Sequence, residues 1–258
     1  MTISATHIGT ATILLRVGEL TILTDPAFDP AGTVYDVGSP IETRRLAGPA
    51  LDASDLPAID LVLLSHDEHA DNLDHAGRRL LSAAETVITT TSGAARLGGN
   101  AVRLEPWDHH EIGGVRITAT PARHGPEGIE ALAGDVIGFM VETPDLTIYI
   151  SGDTVYYEQL DDIGRRFSVD VAFLHLGDAH VEMLGDVSLT MNSDHAVELA
   201  RSLDAITVVP VHYDSWAHFA EDPRRITETF TKAGMTDRLL MLTPGIAQHL
   251  ARRGVENR

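Results

Sequence analysis

The chain has 258 residues, which suits one large domain or two small ones, and its 43% hydrophobic content supplies a sizeable core. A net charge of -19 works against polymeric nucleic acid and anionic membranes, and the absence of cysteine rules out disulfides, thiolate ligands and a thiol nucleophile. No apolar run approaches the roughly 18 residues that span a bilayer, and residues 1–9 lack the pattern of a secretory signal. The expected compartment is therefore the cytoplasm and the expected partner a small-molecule substrate, with homo-oligomerisation left open.

In chain order, Ala11–Val17 and Leu20–Thr24 read as strands joined at Gly18-Glu19, and Asp25-Pro26 ends the second. Residues 27–57 form a long irregular segment rich in Gly, Pro and Asp, a length that marks functional loops. Ile59–Ser65 is an apolar run suited to a buried strand. His66–Asp71 form a loop, and a helix is expected from about Leu73 to Ala84 with Asn72 as cap. Val87–Thr90 and Val115–Pro121 read as strands, and Val136–Glu142 with Leu146–Ile150 as a hairpin around Pro144-Asp145. A helix of about ten residues should follow Gly152-Asp153-Thr154. Val169–Leu174 and Ile206–Val211 are further strands, separated by a helix at Asp194–Leu203 capped by Asn192 or Ser193. The tail carries a helix near Arg225–Ala233 and a strand near Leu239–Leu242. The order suggests one domain over 1–258 with two similar halves, about 1–130 and 131–258. Each half is a sheet with helices on one face, together an α/β four-layer sandwich.

Histidine, with 13 copies, is the informative residue. Ser65-His66-Asp67-Glu68-His69-Ala70-Asp71-Asn72-Leu73-Asp74 crowds two imidazoles and four carboxylates into one loop. Carboxylates this close repel unless a cation or protons compensate them, and imidazole with carboxylate oxygen suits a divalent ion. Three other strand ends present a His or Asp: Pro121-Ala122-Arg123-His124, Tyr149-Ile150-Ser151-Gly152-Asp153, and Val208-Val209-Pro210-Val211-His212. Strand ends on one edge of a layered sheet protein converge on a single cleft. No Gly-x-Ser-x-Gly motif and no phosphate-cradling glycine loop competes with this reading. Trp107, Trp216, Tyr156 and Tyr157 read as core or rim residues.

These four motifs, in this order and together with Ile22-Leu23-Thr24-Asp25-Pro26, resemble the metallo-β-lactamase superfamily. The nearer likeness is to the subgroup of the ascorbate-phosphate lactonase and the N-acylphosphatidylethanolamine phospholipase D. The resemblance runs from Gly9 to about His212 and implies the αββα metallo-β-lactamase fold. It also implies a metal-dependent hydrolase holding one or two divalent ions, Zn2+ first, with Mn2+ or Fe2+ as alternatives. The family's His-x-His-x-Asp-His signature fits only with one extra residue between His66 and His69. Asn72 then stands where a third His is expected. The ungapped alternative puts Glu68 on the second His and Ala70 on the Asp. The gapped reading implies one ion on His66, His69 and His124, and a second on Asp71 and His212, with Asp153 bridging the binuclear centre. Asn72, a poor substitute for imidazole through its amide oxygen, Asp67, Glu68 and His175 are candidates to supplement the second position, as are His109, His110 and His180.

The resemblance implies hydrolysis by water activated on the metal, with Asp71 orienting or deprotonating the nucleophile. His212 or His175 would stabilise the oxyanion or leaving group. Asp25 is expected to orient a ligand histidine from behind. Thr10 stands where the subgroup often has His, and His175 where it often has Pro. The expected substrate is a lactone, amide or ester. A small phosphodiester is the alternative, and a non-catalytic or redox relative the third class. Residues 27–57 and 176–190 are the expected specificity loops.

Overall fold

The computed structural model describes residues 2–36 and 42–251. Residues 37–41 of the expected irregular segment, and both ends of the expected domain, lie outside the described residues. Strands β1 (Ile3–Gly9), β2 (Thr12–Val17) and β3 (Leu20–Thr24) form an antiparallel meander. The expected irregular segment contains a two-stranded ribbon, β4 (Val34–Asp36) with β5 (Glu42–Arg44). Strands β6 (Leu61–Leu63), β7 (Thr86–Thr89) and β8 (Ala101–Arg103) then add to β3 in parallel. Helices α1 (His75–Leu80) and α2 (Thr91–Leu97) lie in the crossovers. The second sheet contains β9 (His109–Ile112), β10 (Val115–Pro121), β11 (Ile137–Glu142), β12 (Thr147–Ile150), β13 (Val171–His175) and β14 (Thr207–Val211). It is antiparallel from β9 to β12 and parallel from β12 to β14. A short α3 (Glu130–Ala133) precedes β11, while α4 (Asp161–Arg166), α5 (Ser193–Ser202) and α6 (Pro223–Lys232) follow β12, β13 and β14. Finally β15 (Gln248–His249) returns to pair with β1.

Period-two burial explains the layers. On β3, Ile22 faces the second sheet and Leu23 faces outward; on β11, Phe139 and Val141 face inward and Met140 outward. Leu15, Ile22 and Leu63 meet Ile117, Phe139 and Phe173 between the sheets. Ile163, Leu199 and Phe230 of the later helices cover the outer face of the second sheet. Leu73, Leu81 and Leu97 lie on that of the first. The architecture is the expected αββα sandwich. The sheets do not divide at residue 130, however: β9 and β10 belong to the second, and β15 to the first. Among the described residues, no helix is long and apolar enough to cross a membrane.

Several elements differ from expectation for local reasons. The helix expected at Leu73–Ala84 starts at His75, because Asp74 rather than Asn72 caps it, accepting from Gly77 N at 2.7 Å. Its last turn tightens into a 3-10 helix at Leu81–Ala83. After Asp153 the chain stays irregular to Tyr157, and α4 begins only at Asp161. The strand expected at Leu239–Leu242 reduces to a single bridge between Leu239 and Val208.

Candidate metal centre

Parallel neighbours end at one edge, so β3, β6, β12, β13 and β14 deliver Asp25, His66, Asp153, His175 and His212 to the same end of the sandwich. Two antiparallel steps give β10 the direction of β12, which brings His124 there as well. The turns that follow are tight. Gly152 has φ +62 and passes so close to Ile137 O that a Cβ would sit 2.6 Å from it. Gly177 has φ +93, and a Cβ there would lie 2.5 Å from His212 O. Both therefore need glycine. His212 itself has φ +58, an uncommon region for a side-chain-bearing residue. Its N–H is held by Thr10 O at 2.7 Å. Thr10 is in turn fixed by Asp214, which accepts from its N–H at 2.8 Å, and by Trp216, whose indole donates to its hydroxyl at 3.1 Å. Thr10 thus positions the His212 backbone.

Two groups of donor atoms result. His66 Nε2 and His124 Nε2 each lie 3.0 Å from His69 Nδ1. Asp71, Asp153 and His212 form a second group, and within each group all the donor atoms lie within 4.8 Å of one another. Asp153 Oδ2 lies 4.0 Å from His66 Nε2, 3.8 Å from His124 Nε2 and 3.3 Å from His212 Nε2, so it stands between the groups. The two groups bring together the six residues of the gapped reading. Glu68, the ungapped candidate, instead pairs with Arg96.

The tautomers suit lone pairs directed inward. Ser65 donates its hydroxyl to Asp25 Oδ1 at 2.8 Å, and so accepts from His66 Nδ1 at 2.9 Å, leaving His66 Nε2 bare. Asp25 therefore acts on His66 through Ser65. His124 Nδ1 donates to Leu189 O at 2.8 Å and His212 Nδ1 faces Leu176 O at 3.3 Å. Burial, reinforced by the neighbouring imidazole His69, pushes His66 well below the ordinary histidine range. Burial and His124 take His69 down to about 4. Neutral imidazoles are the ligand form. Burial opposes charge on His212, but the Asp153 and Asp71 carboxylates prevail and raise it to about 9. Its buried Nε2 lies 3.2 Å from Asp71 Oδ2 without a well-directed hydrogen bond to either carboxylate. The bare Nε2 of His66 and the buried Asp71 and Asp153 carboxylates fit a divalent cation, which would take the place of the proton that His212 holds between them.

Other expected residues are elsewhere. Asp67 is not at the centre, because Arg96 Nε grips it at 3.0 and 3.1 Å. His109 and His110 lie on β9, the outermost strand of the second sheet. His180 pairs with Asp178 at 3.1 Å. His175 is at the centre but engaged, its Nδ1 donating to Asp153 Oδ1 at 2.8 Å, so it orients Asp153. Asn72 does reach both carboxylates. With its amide turned so that nitrogen faces them, it donates to Asp153 Oδ2 at 3.1 Å and Asp71 Oδ1 at 3.2 Å. His218 did not emerge from the sequence, yet its Nε2 lies 2.9 Å from Asp71 Oδ2.

The centre opens into a cavity of about 540 Å3. His69, Asp71, His124, Asp153 and His218 line its floor; Tyr35, Asp36 and Thr43 come from the first expected specificity loop, and Val181, Met183 and Leu184 from the second. Trp107, Trp216, Tyr156 and Tyr157 are not among the lining residues.

Residues 21–213 match the family model described as the beta-lactamase superfamily domain. The chain belongs to this superfamily. A UPF0173 metal-dependent hydrolase of Pelotomaculum thermopropionicum is 31% identical over 199 residues, 74% of this chain and 82% of the relative. Another, of Desulforamulus reducens, is 26% identical over 93% of this chain and 96% of its own length. In fold, the chain is similar to an isothiocyanate hydrolase from Delia radicum gut bacteria. The TM-score is 0.85 at 24% identity, covering 96% and 99% of the two chains. It is also similar to a possible metal-dependent hydrolase of Veillonella parvula, with TM-score 0.83 at 21% identity, covering 97% and 100%. Within the superfamily this chain is an enzyme of the hydrolase class.

Proposed function

We propose that the chain hydrolyses a small, uncharged ester, lactone or amide at a centre of two divalent cations, on a cytoplasmic small molecule. The observation that carries this is the pair of donor groups joined through Asp153 at the floor of a cavity with an apolar wall. His66, His69 and His124 would hold zinc, which three imidazoles suit. Asp71, Asp153 and His212 would hold the second ion in a more oxygen-rich setting that also admits Mn2+ or Fe2+. When bound, such ions supply Lewis acidity and lower the pKa of water.

The side chains supply the rest. Asp71 lines the cavity and is placed to orient the attacking water, while burial is overcome by His212 and His218, which hold its carboxyl well below the usual carboxylate range and keep it ionised. Water adds to the carbonyl carbon, the bond to the leaving oxygen or nitrogen breaks, and a proton of the water passes to that atom. Leu132, Ala133, Val181, Met183, Leu184 and Leu189 exclude solvent and receive the apolar part of the substrate. The likeness of the sequence motifs to the lactonase subgroup supports this reading. The apolar wall favours a carbonyl substrate over a phosphodiester, whereas the lining carboxylates do not decide between them: Asp67 and Glu68 pair with Arg96, Asp74 pairs with Arg45, and Asp71 and Asp153 are placed to hold the cations. A non-catalytic role finds no support among relatives that carry hydrolase names.

The test is metal analysis of purified protein with a panel of lactones, aryl esters, amides, an isothiocyanate and bis-(p-nitrophenyl) phosphate. We expect carbonyl turnover that a chelator abolishes and Zn2+ or Mn2+ restores. Exclusive turnover of the phosphodiester would reverse the substrate assignment, and absence of both metal and activity would end the hydrolase reading of this centre. Leu132 and Met183, 63% and 56% exposed at the mouth, should contact the acyl group. Changing either to Ser should remove about 1 kcal/mol of apolar contact, raising KM for a long-chain ester about fivefold with kcat and metal content unchanged.

A further inference from the structure

Asn72 leaves the second cation position one imidazole short of the superfamily pattern, and His218 stands beside it. His218 follows β14 by seven residues, in an irregular loop. Its Nε2 lies 2.9 Å from Asp71 Oδ2, and its Nδ1 lies 2.8 Å from Thr43 Oγ1. An ionised Asp71 can only accept, so the ring donates from Nε2, and in the neutral ring Nδ1 then accepts the Thr43 hydroxyl proton. The chain of donors runs from Thr43 through His218 to Asp71, and all three line the cavity.

The ring is also braced. Trp216 and Phe219 pack against it with centroids 5.7 and 4.6 Å away. Its carbonyl accepts from His180 N at 3.0 Å, and Ala217 N donates to Arg44 O at 3.1 Å. The β4–β5 ribbon and the 176–190 loop are thus both tied to the segment that touches Asp71.

Resting on the metal-centre reading above, we propose that His218, set by Thr43, is a positioning residue that fixes the Asp71 carboxylate at the second cation position. Asp71 Oδ2 then receives His218 from one side and faces His212 Nε2 at 3.2 Å on another, while Asn72 donates to Oδ1. A carboxylate held at both oxygens keeps one orientation toward an ion. A partner that does this from behind the ligands is worth about 10–100-fold in affinity or activity.

The experiment compares wild type, His218→Ala, His218→Gln and Thr43→Val by Zn2+ and Mn2+ titration against a competing chelator. Stoichiometry is measured by mass spectrometry, alongside kcat and KM. His218→Ala should weaken the second ion at least tenfold and leave the first tightly bound. In that variant kcat should fall with KM unchanged. His218→Gln should recover part of the second-ion affinity, since its amide can donate to Asp71, and Thr43→Val should show a smaller loss of the same kind. Unchanged second-ion affinity in His218→Ala would overturn the proposal. So would equal loss of both ions without recovery in His218→Gln, which marks a merely structural residue. A wild type that binds no ion would instead remove the metal reading itself, and this proposal with it.

Discussion

Asp153→Asn should lose both cations and lower kcat on the order of a thousandfold, while the protein stays folded. The argument is geometric. Asp153 Oδ2 lies between the two donor groups, within 4.0 Å of His66, His124 and His212. Among the described residues, the first group has no carboxylate of its own. Asparagine keeps an oxygen to accept from His175 Nδ1, so the hydrogen bond at Oδ1 survives. What disappears is the negative charge. Burial works against that charge, but His212 and His175 hold Asp153 ionised far below the usual carboxylate range. Lewis-acid stabilisation is worth several kcal/mol, and each 1.36 kcal/mol is tenfold in rate. Metal content by mass spectrometry and circular dichroism on one sample separate loss of ions from loss of fold. Two tightly bound ions in the variant would show that Asp153 is not shared.

Arg45→Met should destabilise the fold by about 3–5 kcal/mol, because it strands a buried carboxylate. Arg45 and Asp74 are both fully buried and meet at 2.9 Å. Arg45 also donates to Ala27 O at 3.0 Å and Ala47 O at 2.9 Å. Asp74 caps α1, and Asp29 accepts from Ala76 N at 3.1 Å and from the Tyr35 hydroxyl. This network pins residues 27–36 and 45–47 to the helix behind the metal loop, and it carries Tyr35 to the cavity wall. Removing both charges together should cost less than removing one. Arg45→Met with Asp74→Asn, which keeps a capping oxygen, should recover much of the loss in urea unfolding. A single variant within 1 kcal/mol of wild type would refute this view of the loop.

The sandwich was readable because its strands are written locally. Ile22 and Leu23, or Phe139 and Met140, alternate between two apolar faces, and strand ends then place His124, Asp153 and His212 at one edge. The loop from His66 to Asn72 was readable only through its spacing. Glu68 and His69 compete for one place in the pattern, and the partner of Glu68, Arg96, lies 28 residues away where no local pattern shows it. Asn72 looked like a helix cap because Asn commonly is one. Its burial against two carboxylates outweighs that preference, and Asp74 caps instead. His218 left no periodic signal, since its partners Thr43 and Asp71 lie 175 and 147 residues away. The only local hint is its place in Trp216-Ala217-His218-Phe219, an aromatic cluster just after a strand-end histidine. The short α2, β8 and β9 escaped because three to seven residues carry too little pattern to stand out.

The placement of the donor atoms on two different sheets has a thermodynamic consequence. His66, His69 and Asp71 follow β6 of the first sheet, while His124, Asp153 and His212 follow strands of the second. The two sheets otherwise meet mainly through non-directional apolar contact, with a few hydrogen bonds such as that from His212 N to Thr10 O at the edge that carries the centre. A cation gripped by both would act as a rivet across that seam, available to the docked sandwich and not to the separated sheets. Its binding energy would then add to the cohesion of the halves by mass action. Metal supply in the cell would thereby govern how long the molecule survives as well as whether it turns over.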